Sequence, residues 1–295
     1  MSTTSALAEP RLTVVFVTYN SGAVIARAVG SVPDDCAVVI VDNASPEGTP
    51  WRESLPRPVD FLPMGRNAGF GTACNAGARR AATPYVMFLN PDAVLAPGAV
   101  DTLLDAAGAY GDKSIFMPAI VGDEGKLMRK EGTIFEKVPR KDRLKAAEIA
   151  GDYCTRFIHG AAFMVSRQAF LDLGGFDEAI FLYHEDDDLS LRALAGGMPI
   201  VVVTGAKAVH AGGRSSSPSF AQTFAINRAK QQSERYVREK YARPRPLAVT
   251  ALKLAGGCLL AGLLLDFHRV AVRAGKLRGL FDPLSSPRRQ QGERT

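Results

Sequence analysis

The chain has 295 residues, 46% of them hydrophobic, and a net charge of +6. That length accommodates one large domain with an appendage, and four scattered cysteines without a CxxC pair argue against a disulfide frame or a zinc site. Residues 1–10 lack a basic segment followed by an apolar one, so no secretory leader is expected and the cysteines read as reduced, cytosolic thiols.

The run LTVVFVT at 12–18 is apolar almost throughout, as a strand buried on both faces must be. It ends in the polar YNSG of 19–22, and a helix is expected from Ser21 with Val24, Ile25, Ala28 and Val29 on one face. AVVIV at 37–41 reads as a second strand closed by Asp42 and Asn43, and VDFL at 59–62 as a short third. The glycine-rich GRNAGFG of 65–71 precedes a helix over 72–82. YVMFL at 85–89 reads as a central strand, and it must stop near Asn90, Pro91 and Asp92 because proline cannot donate to a sheet ladder. A helix over 98–110 follows. Strand, turn and helix in repetition predict a parallel sheet with right-handed crossovers. Three strand ends carry polar tips, at 18–20, 42–43 and 90–92, and open sheets of this kind bind their ligands at such ends. A carboxylate at such a tip, as at Asp92, can hold a hard divalent cation and through it a diphosphate. Neither G-x-G-x-x-G nor G-x-x-x-x-G-K-[ST] occurs, which argues against a dinucleotide site or a P-loop.

Eight Lys and Arg residues crowd 126–145, either as a solvated surface excursion or as a loop reaching over a phosphate-bearing ligand. Order returns in FIHGAAFMV at 157–165, followed by a short helix over 167–173. Four successive acids, Glu185 to Asp188, precede a helical run at 189–195. A helix N-terminus stabilises negative charge, yet four acids exceed what a cap needs. PIVVV at 199–203 reads as a strand leading to His210 and a Gly/Ser-rich loop at 211–218. A long polar helix is expected over 220–241. The stretch 247–265 is apolar except for Lys253 and nearly long enough to span a bilayer; it reads as an interfacial helix, with a buried helix or a true span as alternatives. Charge divides along the chain. From Arg228 onward 15 Lys/Arg face 5 Asp/Glu, giving +10, and the preceding residues carry 21 against 25, giving −4. Arg269, Arg273, Lys276 and Arg278 are spaced so that much of their charge could share one helical face. A basic tail of this kind suits an anionic membrane surface, and no nucleic-acid motif accompanies it.

The motifs VTYNS (17–21), VDNAS (41–45), NAGFG (67–71) with NAG (75–77), LNPD (89–92), GGFD (174–177), YHEDDDL (183–189) with Arg192, and His210 resemble those of the inverting family 2 glycosyltransferases of the GT-A fold, in the rhamnosyltransferase-like branch. They run in the family's order over roughly residues 12–215. The resemblance implies an α/β fold: a GT-A type, Rossmann-like, mostly parallel sheet flanked by helices, with a C-terminal helical tail. It implies a catalytic domain over 11–218, a helical and membrane-associating region over 219–284, and a disordered tail over 285–295.

Residue by residue, the resemblance implies that Thr18, Tyr19, Asn20 and Asp42 hold the nucleoside. Asp42 would accept the imide N–H of uracil or thymine, since a carboxylate only accepts. Arg66 and Asn67 would lie near base and ribose, and Asn43, Gly69, Asn75 and Asn90 complete the implied substrate-binding set. Asn90 to Asp92 stands where the family has its metal-binding D-x-D. With Asn in the first place, Asp92 would carry the Mg²⁺ or Mn²⁺, and His210 would approach the same ion unless it is a structural histidine. Asp186 would be the general base with Glu185 beside it, while Asp188 would be a second acid or a helix cap.

The implied reaction moves a sugar from a pyrimidine nucleotide-sugar, dTDP-rhamnose or a UDP-sugar, to a hydroxyl of a glycan or a polyprenyl-diphosphate-linked saccharide. The enzyme would work at the cytoplasmic face of the inner membrane, as a peripheral protein. A sugar-phosphate nucleotidyltransferase would need a glycine-rich basic loop after the first strand, where YNSG stands instead. A glycoside hydrolase would leave Asp42 and the 90–92 cluster idle. A non-catalytic nucleotide-sugar-binding membrane scaffold would have no use for Asp92 and Asp186.

Overall fold

A strand covered on both faces needs apolar side chains at every position, and β1 (Leu12–Thr18) has all seven residues buried. Its alternate residues serve two cores. Val14 and Phe16 pack into one cluster, Val15 and Val17 into the other. The computed structural model describes residues 9–122, 125–136, 149–210 and 219–284. After β1 come α1 (Gly22–Gly30), β2 (Ala37–Asp42), β3 (Asp60–Pro63), α2 (Phe70–Arg80), β4 (Tyr85–Leu89), β5 (Ala93–Leu95) and α3 (Ala99–Tyr110). They are followed by β6 (Ile115–Val121), β7 (Tyr153–Thr155), β8 (Ala162–Ser166), α4 (Arg167–Asp172), α5 (Glu185–Ala195) and β9 (Ile200–His210).

Among the described residues nine strands form one sheet in the order β3-β2-β1-β4-β8-β6-β9-β5, with β7 added on β9. The expected parallel half is present: β3, β2, β1 and β4 all run the same way. β8 then pairs antiparallel with both β4 and β6, and β5 antiparallel with β9, so the sheet is mixed. Registers place Thr18 beside Asp42, and Ala93 beside His210. Of the 157–165 stretch only 162–165 lies in a strand, while 157–159 is irregular and 160–161 a turn. Phe88 of β4 anchors one core through Phe163, Phe170 and Phe176, with ring centroids 4.9, 4.9 and 5.8 Å away.

The chain divides into two compact units, Met1–Phe176 with Asp186–Arg214, and Asp177–Glu185 with Ser215–Thr295. The second contains α6 (Phe220–Lys240), α7 (Leu247–Leu263) and α8 (Phe267–Leu280). Segment 177–185 groups with it because α6 grips that segment. Tyr236 Oη and Lys240 Nζ donate to Asp177 at 2.9 and 2.7 Å, and Ser233 Oγ donates to the Leu182 carbonyl. The expected boundary after residue 218 left this segment in the first domain. α8 lies so close to α6 that a Cβ at Gly275 or Gly279 would overlap the carbonyls of Phe224 and Arg228.

α7 is the element the sequence marked as apolar, and Ala261 is its one buried residue among seventeen. Among the described residues no helix is long and apolar enough to cross a membrane. The four α8 cations do not all face one way, because the Arg273 guanidinium lies against Gly257 of α7 and Arg278 pairs with Asp282. The 211–218 loop, the 285–295 tail and the part of the basic run from 137 to 145 lie outside the described residues.

α2 rests on β1 and β2 at Gly77, where a Cβ would overlap Val15 Cγ1 and sit 3.2 Å from Val41 Cγ2. Valine has little rotamer freedom with which to yield. Gly77→Ala is expected to cost about 1–3 kcal/mol by overpacking. A lowered urea midpoint at unchanged m-value is the measurement.

Candidate active site

Parallel strands end with their polar tips side by side, and here those tips bind one another. Thr18 and Asp42 are both buried, and Thr18 Oγ1 donates to Asp42 Oδ1 at 3.0 Å. Ser45 adds its Oγ to Oδ1 at 2.6 Å and its N–H to Oδ2 at 3.0 Å. An ionised carboxylate accepts about four hydrogen bonds, so Asp42 retains capacity for one more donor. Asn20 sits at φ +54°, its N–H on Ser45 Oγ and its Oδ1 receiving the Glu47 N–H. Tyr19 and Arg66 are exposed at this rim. Asn43 and Asn67 are spent on the chain itself: Asn43 Nδ2 donates to Asn67 Oδ1 and to the Gly69 carbonyl, and Asn43 Oδ1 receives the Ala68 N–H. This lattice holds the turn that opens α2, where Gly69 adopts φ +91°.

Asn75 has a different setting from the expected one. It is buried, and both ends of its amide bind the backbone of Phe176, at 2.8 and 2.9 Å. It pins the GGFD turn to α2, and Gly175 leaves no room for a side chain against it.

β4 ends at Asn90, whose N–H donates to the Ala161 carbonyl at 2.9 Å. The chain turns through Pro91 and Asp92 into β5, which lies against the end of β9. That pairing brings His210 Nε2 to 3.1 Å from Asp92 Oδ1 and 3.5 Å from Asn90 Nδ2. His210 Nδ1 is buried with no hydrogen-bond partner. Among the described residues no three His, Cys, Asp or Glu side chains converge as a metal site. One carboxylate and one imidazole nevertheless fit a partial donor set for Mn²⁺ or Mg²⁺, completed by phosphate oxygens or water. His159, which the sequence reading left without a role, stands edge-to-face with His210 at 6.2 Å between ring centroids. Its Nδ1 accepts the Ala161 N–H at 3.3 Å. Burial, then His210 and Lys130, hold its pKa down to about 4, so it is neutral at pH 7 with its proton on Nε2.

The acidic run forms the first turn of α5 rather than preceding it. Its members diverge. Asp188 is fully buried in an ion pair with Arg192 at 2.8 Å, and Arg192 also holds the Leu173 carbonyl. Asp187 is buried and accepts the Ile134 N–H at 2.7 Å and Lys130 Nζ at 3.2 Å. Glu185 is buried too; burial, then the charge of Glu185, raises the pKa of Tyr183. Among the described residues Asp186 has a single hydrogen bond, from the Gly160 N–H to Oδ2 at 3.2 Å, and its buried Oδ1 has none. Burial and then the charge of Asp187 push its pKa up to about 7, against the weaker pull of Lys130 and the Gly160 N–H. A Cβ at residue 160 would overlap the Asp186 carboxylate. Ser190 fixes this arrangement, donating to the Asp186 carbonyl and receiving the Ile158 N–H at 2.8 Å. His159 and Gly160 are thus the neighbours that sequence reasoning missed, and the HG pair in an apolar run was their visible signal, whereas Lys130 lay within the basic run already singled out.

Residues 13–174, more than half of the chain, match the sequence model of "Glycosyl transferase family 2". The chain belongs to glycosyl transferase family 2. Over 237 residues this glycosyltransferase is 33% identical to an N-acetylglucosaminyl-diphospho-decaprenol L-rhamnosyltransferase of Mycobacterium tuberculosis, covering 68% of this chain and 75% of that one. Its fold is similar to that of the mannosyltransferase PcManGT from Pyrobaculum calidifontis in complex with GDP-Man and Mn²⁺, with a TM-score of 0.56 and 21% identity over 93% of this chain and 88% of that one. It is also similar to GalNAc-T7 with UDP, GalNAc and Mn²⁺, with a TM-score of 0.55 and 18% identity over 70% of this chain and 45% of that one. The fold is that of the GT-A glycosyltransferases.

A carboxylate whose pKa is raised on folding favours the folded state when protonated. That contribution is complete below the unfolded pKa and is lost as pH rises toward about 7. Asp186→Asn removes this loss. The melting temperature of the variant relative to wild type is expected to rise between pH 5 and pH 8, as read by calorimetry at both values.

Proposed function

We propose that this family 2 glycosyltransferase moves a sugar from a pyrimidine nucleotide-sugar, dTDP-rhamnose or a UDP-sugar, onto a hydroxyl of a polyprenyl-diphosphate-linked saccharide, with inversion. The observation that carries the reading is Asp186, a carboxylate with a single hydrogen bond and a pKa raised to about 7. A general base works best with a pKa near the operating pH. Asp186 takes the proton of the acceptor hydroxyl as that oxygen attacks the anomeric carbon from the face opposite the nucleotide. One displacement of this kind inverts the centre.

The remaining capacity of Asp42 suits the imide N–H of uracil or thymine, with Thr18, Tyr19 and Asn20 around the nucleoside. Asp92 and His210 would hold Mg²⁺ or Mn²⁺, which supplies positive charge to balance the departing diphosphate. Neutral His159 keeps its Nε2–H available as a donor on the same side. The acceptor class is supported by the mycobacterial relative, whose name gives a diphospho-decaprenol-linked N-acetylglucosamine.

Asp186→Asn is expected to lower transfer by about 10²–10⁴-fold with donor binding retained. In the wild type, kcat/KM rises with pH through about 7, and the variant loses that limb. A larger loss in Glu185→Gln would assign the base to Glu185 instead. Asp92→Ala should abolish the metal dependence of donor affinity, measured by titration with and without Mn²⁺.

A membrane-surface location is supported by two features of the second unit. Leu252, Leu259 and Leu263 of α7 are 75, 72 and 82% exposed, and Leu265 and Phe267 continue the apolar surface beyond it. With the net +10 from residue 228 onward, this suits an anionic bilayer, to which each nearby Lys or Arg contributes about 1 kcal/mol. The full chain should co-sediment with anionic vesicles, less so in high salt. Leu259→Asp with Leu263→Asp should leave it in the supernatant, and equal sedimentation of the two proteins would overturn this location.

A further inference from the structure

Segment 126–136 is fastened at both ends. Its start is held on the end of β6, where Met128 N–H donates to the Ile120 carbonyl at 2.8 Å and Gly122 N–H to the Lys126 carbonyl at 2.9 Å. Its far end is tied to α5, where the buried Asp187 takes the Ile134 N–H at 2.7 Å. Buried Thr133 binds Glu136 Oε2, and Glu136 pairs with Arg156 at 2.5 Å. A surface excursion that only needed solvation would not spend a buried carboxylate on its backbone.

Between the two fastenings stands Lys130. Its ammonium lies 3.2 Å from Asp187 Oδ1 and 3.5 Å from the ring centroid of Phe157, itself buried. Two contacts fix where the head group sits, yet the side chain is 47% exposed. An ammonium has three donors, so it can meet Asp187 and a ligand oxygen together. Asp186, the next residue after Glu185 and the one before Asp187, shares this corner and feels the Lys130 charge.

Resting on the assignment of Asp186 as base, we infer that Asp187 is a positioning residue holding Lys130 over the acceptor's path, and that Lys130 binds the acceptor's diphosphate. An acceptor hydroxyl must reach Asp186. Two carboxylates at that corner repel an anionic acceptor, and a cation fixed beside them offsets the repulsion. The donor also carries a diphosphate, so the shared chemistry is a diphosphate ester and the test must separate the two sources.

The test is binding to the full chain, without turnover, so its outcome is independent of which residue is the base. Geranyl diphosphate serves as an acceptor-like probe in EDTA, which withholds metal from the donor site. Wild type should bind it, and Lys130→Ala should weaken binding about tenfold, the usual worth of one charge-assisted hydrogen bond. Lys130→Arg should recover most of that loss. Geraniol, with no phosphate, should not distinguish wild type from Lys130→Ala. With Mn²⁺ present, dTDP and UDP should bind Lys130→Ala as they bind wild type. Asp187→Asn keeps an acceptor for the Ile134 N–H but loses the ion pair, and it should weaken geranyl diphosphate in the same sense. No binding by wild type, or equal affinity in Lys130→Ala, overturns the inference. Parallel loss of dTDP and UDP would move Lys130 to the donor and also overturn it. Tighter binding by Asp187→Asn would overturn the positioning role.

Discussion

A carboxylate that titrates near neutral pH must be kept from water and from strong partners at once, and Asp186 meets both conditions through a glycine. Residue 160 has no room for a Cβ, and its N–H is the single hydrogen bond the carboxylate receives. The 157–161 segment is fixed on three sides: Ile158 to Ser190, Gly160 to Asp186, and the Ala161 carbonyl to Asn90. The same short segment therefore sets Asp186 against α5 and the strand end that carries Asn90. Displacing it would move both side chains together.

The second constraint is topological. β5 is only three residues long, and its partner β9 follows it by more than a hundred residues. Their antiparallel register at Ala93 and His210 places an imidazole against Asp92. At the other end of the crevice, Thr18, Asp42 and Ser45 satisfy one another before any ligand arrives. Buried polar groups tolerate this only when nearly all their hydrogen bonds are made, so these three side chains hold one another in place.

The four successive acids show how one helix turn distributes roles. Asp188 is neutralised by Arg192, Asp187 is committed to the 126–136 segment, and Asp186 is left nearly bare. Each commitment protects the next residue's function. Were Asp187 unpaired, its charge would act on Asp186 undiminished, and were Asp188 unpaired, the helix would carry an isolated charge in its core.

Much of this protein was written in local pattern. The doubly buried strands at 12–18, 37–42 and 85–89 and the helices between them follow from apolar runs and polar stops, because burial on both faces forces such composition. The motifs gave the family and its sequence of strand-end residues. β5, β6, β7 and the antiparallel insertion of β8 were not readable, since short strands carry too little pattern and pairing direction is decided by partners far along the chain. The sequence marked Asn75 and Asn67 as site residues, and only packing assigned their amides to Phe176 and to Asn43 with the Gly69 N–H. It likewise marked a run of four acids, with Asp186 singled out by the resemblance, and one basic run. Which acid is bare, which is paired and which lysine stands beside them depended on burial and on contacts more than fifty residues apart, such as Asp187 with Ile134. Composition and order along the chain thus determined fold class and family. Protonation and partner choice belonged to the tertiary structure, because a carboxylate's charge is set by the water and neighbours that folding leaves it.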